Sequence, residues 1–327
     1  MNFCKLIKFL AQLTAVLLFS GILTAQTTEQ TSDSQQQVFY VTAGTENGFL
    51  TGFTAQNFSI YDEGRSQTIN MFSSEDSPMS IGILFDTSKT SAQVNTVSVN
   101  TVKDVLLKGV KRFIELSNPN NEYFFLSFNN SETLHLDFSQ DTKSILKAIR
   151  EISDVEAKGT ANIHDAINTG VEKLSKSKYS KRVLLVISNG IDSNSKIKIE
   201  DLNKKINNSN LLLYTFGIYE GSFEYEKAIL INSNLDELAE QTGGFFRYAI
   251  WNSTFKEVTD KETRGTFALI ANELRSQYKI GFISDGKEKQ PTWHDIKFKI
   301  NLPSKPKGIS NIFIRTRKGY VSSIKQQ

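Results

Sequence analysis

The chain reads as an α/β protein: a doubly wound, mostly parallel sheet, with a small discontinuous β domain made from its N- and C-terminal segments. Three observations predict this. From Pro78 onward, short apolar runs alternate with stretches of helical apolar spacing, as in parallel strands joined by crossover helices. Two of the runs, 81–85 and 183–187, are continuously apolar, as strands covered on both faces are. The flanking segments hold only short strands, too few on either side to close a core alone, so they are expected to pair with each other.

Taken in order, residues 26–36 are rich in Thr, Ser and Gln and read as a flexible lead-in. Strands are expected over 38–42, 58–61 and 68–72, with turn chemistry at Asn47-Gly48 and Glu63-Gly64. A strand over 79–85 precedes a helix over 99–116, whose apolar face is Val102, Val105, Leu106, Val110, Phe113 and Ile114. Strands over 123–128 and 134–138 form a hairpin-like pair around Asn129-Asn130. Helices follow over 142–152 and 161–174, and strands over 183–187 and 211–218. A short helix over 235–241 closes at Gly243-Gly244. A strand over 245–250 and a long amphipathic helix over 261–278 complete the α/β region. The aromatic cluster Phe245, Phe246, Tyr248 and Trp251 reads as sheet core. Strands over 278–283, 295–300 and 309–317, with a turn at Lys305, Pro306 and Gly308, end the chain. The boundaries are therefore 37–77 for the first β segment, 78–277 for the α/β domain and 278–327 for the second β segment.

The N-terminus has another character. Lys5 and Lys8 precede an apolar stretch over 9–23, then Thr24 and Ala25, the layout of a secretory signal peptide over 1–25. Its alternative is an uncleaved N-terminal anchor. A secreted or periplasmic location follows, with no transmembrane segment in the mature chain, because no second long apolar run occurs. The one cysteine, Cys4, leaves with the leader, which excludes thiolate nucleophiles, thiolate metal sites and disulfides from the mature chain. Net charge is +3 over 327 residues. Without Lys5 and Lys8 the 38 basic residues fall to 36 against 35 acidic, which gives no electrostatic case for nucleic acid. The basic run from Lys173 to Arg182 reads as a solvated face.

The chemistry concentrates on three loops. The strand over 79–85 ends in Asp86, followed at alternate positions by Ser88 and Thr90. One carboxylate and two hydroxyls at a strand's carboxyl end form a hard-oxygen cluster suited to Mg²⁺ or Mn²⁺. Lys158-Gly159-Thr160 precedes the helix over 161–174, where Thr160 alone would read as an N-cap. Ser188-Asn189-Gly190-Ile191-Asp192 follows the strand over 183–187 and alone would read as a strand-to-helix turn. Together they set Asp86, Ser88, Thr90, Thr160 and Asn189 at one edge of the sheet.

That order of motifs resembles the von Willebrand factor type A (VWA) domain, in which it builds the metal-ion-dependent adhesion site, or MIDAS. The chain looks like the secreted bacterial branch called VWFA-related Acidobacterial proteins. Further support lies in residues 50–64 (LTGFTAQNFSIYDEG), 273–282 (ELRSQYKIGF) and 317–320 (RKGY). The resemblance runs from about residue 37 to 321 and is specific for fold but not for biological role. It implies metal ligation by Asp86, Ser88, Thr90, Thr160 and Asn189. Thr90 stands for the usual second serine and keeps the hydroxyl. Asn189 replaces the usual aspartate and removes a negative charge, and Lys89 stands where a small residue is common. Both changes weaken Mg²⁺ or Mn²⁺ binding, and Asp192 is a candidate to compensate. The resemblance also implies a protein partner that offers an acidic side chain, and a last helix that shifts when it binds.

Two other readings stay open. A degenerate, metal-free domain acting as scaffold or assembly component is favoured by Asn189 and Lys89. A strand-end-aspartate hydrolase needs a second carboxylate two residues on, and Ser88 occupies that place. No phosphate-cradling glycine loop occurs. His135, His164 and His294 sit in different elements and nominate no triad, so the expectation is a non-enzyme.

Overall fold

The computed structural model describes residues 35–89, 99–220, 225–251, 256–284, 288, 290–302 and 311–322. The expected leader, most of the lead-in, Thr90 and the turn at Lys305, Pro306 and Gly308 lie outside the described residues.

Five strands come first: β1 (Gln35–Thr45), β2 (Gly48–Phe49), β3 (Phe58–Asp62), β4 (Arg65–Gln67) and β5 (Met71–Ser73). The α/β region opens with β6 (Ser80–Asp86), α1 (Val99–Leu116), β7 (Glu122–Phe128), β8 (Glu132–Ser139) and α2 (Thr142–Asp154). It continues with α3 (Ile163–Leu174), β9 (Arg182–Ile187), α4 (Ile199–Ser209) and β10 (Leu211–Glu220), and closes with α5 (Tyr225–Thr242), β11 (Phe245–Trp251) and α6 (Lys256–Ser276). The last strands are β12 (Tyr278–Ser284), β13 (Trp293–Ile300), β14 (Phe313–Arg315) and β15 (Gly319–Val321).

The central sheet has the order β11-β10-β9-β6-β7-β8 and is parallel except for β8. Its side chains alternate between two cores. Ile81, Ile83 and Phe85 face one core with Val105, Val110 and Phe113 of α1, Ile149 of α2 and Phe267 and Leu274 of α6. Leu84, Leu184 and Val186 face the other with Ile167 of α3, Ile206 of α4 and Leu238 of α5. Three helices therefore cover each face, which explains the unbroken apolar runs 81–85 of β6 and 183–187 of β9. Each fully buried aliphatic side chain contributes about 1.5–3 kcal/mol.

The terminal segments pair as expected, but they build two sheets. β14-β1-β12-β5, with β2 also on β1, form one, and β15-β13-β3-β4 form the other. Phe39, Val41, Phe58, Ile60, Tyr278, Ile280, Phe282 and Tyr320 fill the core between them.

Several boundaries differ from the sequence reading, each for a physical reason. The lead-in stops earlier, because Gln35–Gln37 already pair with β12. Of the expected strand over 68–72 only Met71 and Phe72 are paired, in β5, while β4 precedes it and belongs to the other sheet. The expected strand over 309–317 holds only β14, which pairs with β1, and the unforeseen β15 follows it and pairs with β13. The helix expected to reach residue 278 ends at Ser276, since Tyr278 is already paired in β12. α5 extends well before residue 235. α4 is unforeseen, and only Leu202 and Ile206 of it are buried. Of the aromatic cluster, Phe245 and Trp251 are core, whereas Phe246 and Tyr248 are half-buried. Among the described residues no helix is long and apolar enough to cross a membrane.

The two parts are joined where α6 runs into β12 through a single residue, Gln277. Glu273 on α6 has no exposed side-chain surface. Arg315 of β14 donates to it through Nε at 3.0 Å and NH2 at 2.5 Å, and the Thr42 hydroxyl of β1 donates at 2.9 Å. Lys181 is also buried there, at 5% exposure, which overturns the reading of 173–182 as wholly solvated. Its Nζ donates to the Leu274 carbonyl near the end of α6 and lies 5.2 Å from the Tyr40 ring centre. Burial pushes its pKa down to about 7, against the opposing pull of Asp76 and Glu273.

Two outcomes are expected. Glu273→Ala strands Arg315 and should cost about 3 kcal/mol in denaturant unfolding. The Lys181 pKa is lower folded than unfolded, so the unfolded chain holds the extra proton between the two values. Stability should then rise with pH above about 7, by up to about 1.4 kcal/mol per pH unit. Unfolding of wild type and Lys181→Met from about pH 7 to 9.5 checks this, the variant lacking the slope.

Candidate metal centre and family

Asp86 ends β6, between β7 and β9. The chain leaves β6 through α1 to β7 on one side and reaches β9 on the other only after β8, α2 and α3. Ligands of open α/β sheets gather in the crevice at such a switch point. The Asp86 carboxylate is fixed from two directions: Oδ1 accepts the Ser88 backbone N–H at 2.8 Å, and Oδ2 accepts the Ser188 hydroxyl at 2.6 Å. Asp86, Ser88 and Asn189 are all buried, so the cluster lies in a polar floor below the surface. Lys89 is exposed on the same loop.

The second loop is laced to the first by backbone bonds. Lys158 N–H donates to the Thr87 carbonyl, and Lys89 N–H to the Gly159 carbonyl, both at 3.1 Å. Gly159 has φ +66°, and a Cβ there would stand 1.7 Å from Asn130 Oδ1. That oxygen is engaged: it accepts Thr160 N–H at 3.0 Å, while Asn130 Nδ2 donates to Thr160 Oγ1 at 2.9 Å. Thr160 is thus no N-cap. Asn162 holds that position, without a side-chain cap bond, and α3 starts at Ile163.

On the third loop, Ser188 N–H donates to the Phe216 carbonyl at 3.0 Å. Asn189 Oδ1 accepts Ile191 N–H at 3.2 Å, and the Asn189 carbonyl accepts the Tyr219 hydroxyl at 2.6 Å. Asp192 serves the start of α3. It accepts His164 N–H at 3.3 Å and the Ser195 hydroxyl at 2.5 Å. The candidate compensation for Asn189 is therefore already committed elsewhere.

The structure brings Asp86, Ser88, Thr160 and Asn189 to one end of the sheet; Thr90 is outside the described residues. Among the described residues no three His, Cys, Asp or Glu side chains gather as a metal site. The donors are instead one carboxylate, two hydroxyls and an amide oxygen. Such an all-oxygen set fits a hard divalent cation that keeps part of its water shell. Sequence reasoning missed Asn130, Ser188 and Tyr219 as supports. Asn129-Asn130 carries only a turn signal, and the other two are ordinary residues beside strand ends.

The family model of the von Willebrand factor type A domain matches residues 80–261, more than half of the chain. The chain belongs to this family. No curated protein matches it. Among solved structures, the VWA chain is similar to the PilB minor pilin from Streptococcus sanguinis, at 13% identity and TM-score 0.46, covering 64% of each chain. It is also similar to a von Willebrand factor type A protein from Catenulispora acidiphila, at 10% identity and TM-score 0.46, over 89% of this chain and 64% of that one. A third is proximal thread matrix protein 1 from the mussel byssus, solved with a zinc-occupied MIDAS motif, at 13% identity and TM-score 0.46, over 65% of this chain and 50% of that one. This chain thus spans less than two thirds of each.

The VWA domain holds one further polar chain. Ser127 Oγ lies 2.8 Å from His135 Nε2, and His135 Nδ1 lies 3.6 Å from Glu151. Burial lowers the His135 pKa, with Glu151 opposing. Ser127 is itself buried in β7 at 3% exposure, so the order Ser-His-Glu has no open approach to its hydroxyl.

Gly159→Ala should force a strained backbone and expel the Asn130 side chain from Thr160. A loss of about 1–2 kcal/mol is expected, read as a lower melting temperature together with a shifted Asn130 side-chain amide signal in NMR.

Proposed function

We propose that this protein is an extracytoplasmic VWA interaction module that binds a protein partner at a MIDAS-like divalent-cation site. The gathering of Asp86, Ser88, Thr160 and Asn189 on three interlocked loops at the switch point of the sheet supports this most. Asp86 supplies the charge, Ser88 and Thr90 hydroxyl oxygens, Thr160 a further hydroxyl, and Asn189 an amide oxygen that orders water. When bound, Mg²⁺ or Mn²⁺ supplies an open coordination position for an acidic side chain of the partner. Protein hydrogen bonds brace the described parts of these loops around Asp86, Thr160 and Asn189. The location outside the cytoplasm rests on the leader-like N-terminus. We read the module as non-catalytic, because Ser88 stands where a strand-end-aspartate enzyme needs its second carboxylate.

A metal-free scaffold is the second reading. It is favoured by Asn189, by exposed Lys89 and by the commitment of Asp192 to α3.

The test is titration of Mg²⁺ and Mn²⁺ into EDTA-stripped protein, followed by heat release and melting temperature. Saturable binding that Asp86→Ala abolishes, and that Asn189→Asp strengthens about tenfold or more, is the expected result. Absence of binding in wild type, gained in Asn189→Asp, would establish the scaffold reading.

A further inference from the structure

A cleft of about 580 Å³ opens where β14 and β15 part from β13. β15 pairs with β13 at residues 293–295, and the Lys318 carbonyl still accepts Ile296 N–H at 2.9 Å. The strand then crosses to the other sheet, where β14 pairs with β1. Residues 296–300 of β13 keep β3 on one side. Beyond the Ile296 bond to Lys318, no strand among the described residues pairs with their other side.

Five cations line this wedge, Lys297, Lys299, Arg315, Arg317 and Lys318, against one carboxylate, Glu240. In a chain with 38 basic and 35 acidic residues, that is a marked local concentration. Arg315 is bound to Glu273. Lys318 pairs with Glu240 at 3.0 Å, but both side chains are more than half exposed, so the pair is weak. Lys297 and Lys299 are exposed, two residues apart on one face of β13, and no carboxylate among the described residues is within ion-pair distance of either. Lys299 Nζ lies over the Tyr61 ring at 4.9 Å. Arg317 sits over the Phe39 ring at 4.3 Å, and its Nε has no hydrogen-bond partner. The wedge is held open by packing against the VWA domain: Gly243 (φ +85°) abuts the Thr316 and Arg317 backbone, where a Cβ would stand 2.5 Å from Thr316.

We propose that this cleft binds an extended acidic peptide segment of a partner, pairing along the free edge of β13 with its carboxylates set against Lys297 and Lys299. The cations select an anion. The free strand edge selects a peptide over an anionic glycan or phosphate, because only a peptide offers N–H and C=O groups at strand spacing. Side chains of a paired strand alternate, so acidic residues at every second position would meet the two lysines. This surface is independent of the cluster at Asp86 and needs no cation.

A fluorescein-labelled peptide of alternating Glu and Thr, titrated with the full chain and read by fluorescence anisotropy, tests it. Saturable binding at about 50 mM salt, falling about tenfold at about 500 mM, is expected. The double variant Lys297→Glu/Lys299→Glu should keep its melting temperature and bind about tenfold more weakly. The same peptide N-methylated at alternate amides should not bind, while EDTA and Asp86→Ala should change nothing. The proposal is overturned by no binding at low salt, by undiminished binding to the double variant, or by retention of the N-methylated peptide. Tighter binding of a heparin oligosaccharide would reassign the cleft to glycans, and loss with EDTA would reassign the binding to the Asp86 cluster.

Discussion

The Glu273 carboxylate is the constraint on which the assembly of the two parts depends. A carboxylate without any exposed surface is tolerated only with compensating donors. Here they come from two strands of the five-stranded sheet, Arg315 of β14 and Thr42 of β1. Satisfying one buried charge on the last helix therefore ties two adjacent strands of that sheet, β14 and β1, to α6. The Lys181 ammonium, donating to the Leu274 carbonyl, holds the same helix end from the side of the central sheet.

At the other end of that sheet the logic is reversed, since the charge is sparse and the scaffold is dense. Asp86 receives a backbone N–H and the Ser188 hydroxyl, Thr160 is gripped twice by Asn130, and the Asn189 carbonyl is held by Tyr219. None of these bonds uses the Asn189 side chain to brace another loop. Exchange of amide for carboxylate at that position adds a negative charge to the cluster while keeping an oxygen to accept the Ile191 N–H.

Some elements announce themselves in the sequence and others do not, and the difference is physical. Where burial on two faces or one helical stripe dominates, the pattern is readable: α1 spans the expected 99–116, and β6 and β9 fall on their apolar runs. α4 was missed although Ile199, Leu202 and Ile206 stand at the helical spacing i, i+3 and i+7, because three apolar residues in an otherwise polar segment make a thin stripe. The passage of one extended segment through two sheets, as in β14 and β15, depends on long-range pairing and leaves no local signature. Local chemistry marked Asp86, Ser88, Thr160 and Asn189 as a group. The direction of Asp192 and the part played by Asn130 depend on contacts about thirty residues apart, beyond the reach of spacing arguments.

Pairing of β1 with β12 joins positions as distant in sequence as Gln36 and Ile283. During synthesis, β1 must therefore wait for nearly the whole chain before its neighbour exists. The strands of the central sheet all fall within residues 80–251, so their pairing has no such delay. Assembly of the sandwich is then a late, high-contact-order event, and in the interval β1 is an unpaired edge open to the wrong partner. Its start, three consecutive glutamines, is polar where a hydrophobic edge would be most adhesive, so the order of folding is written into the first strand as well as the last.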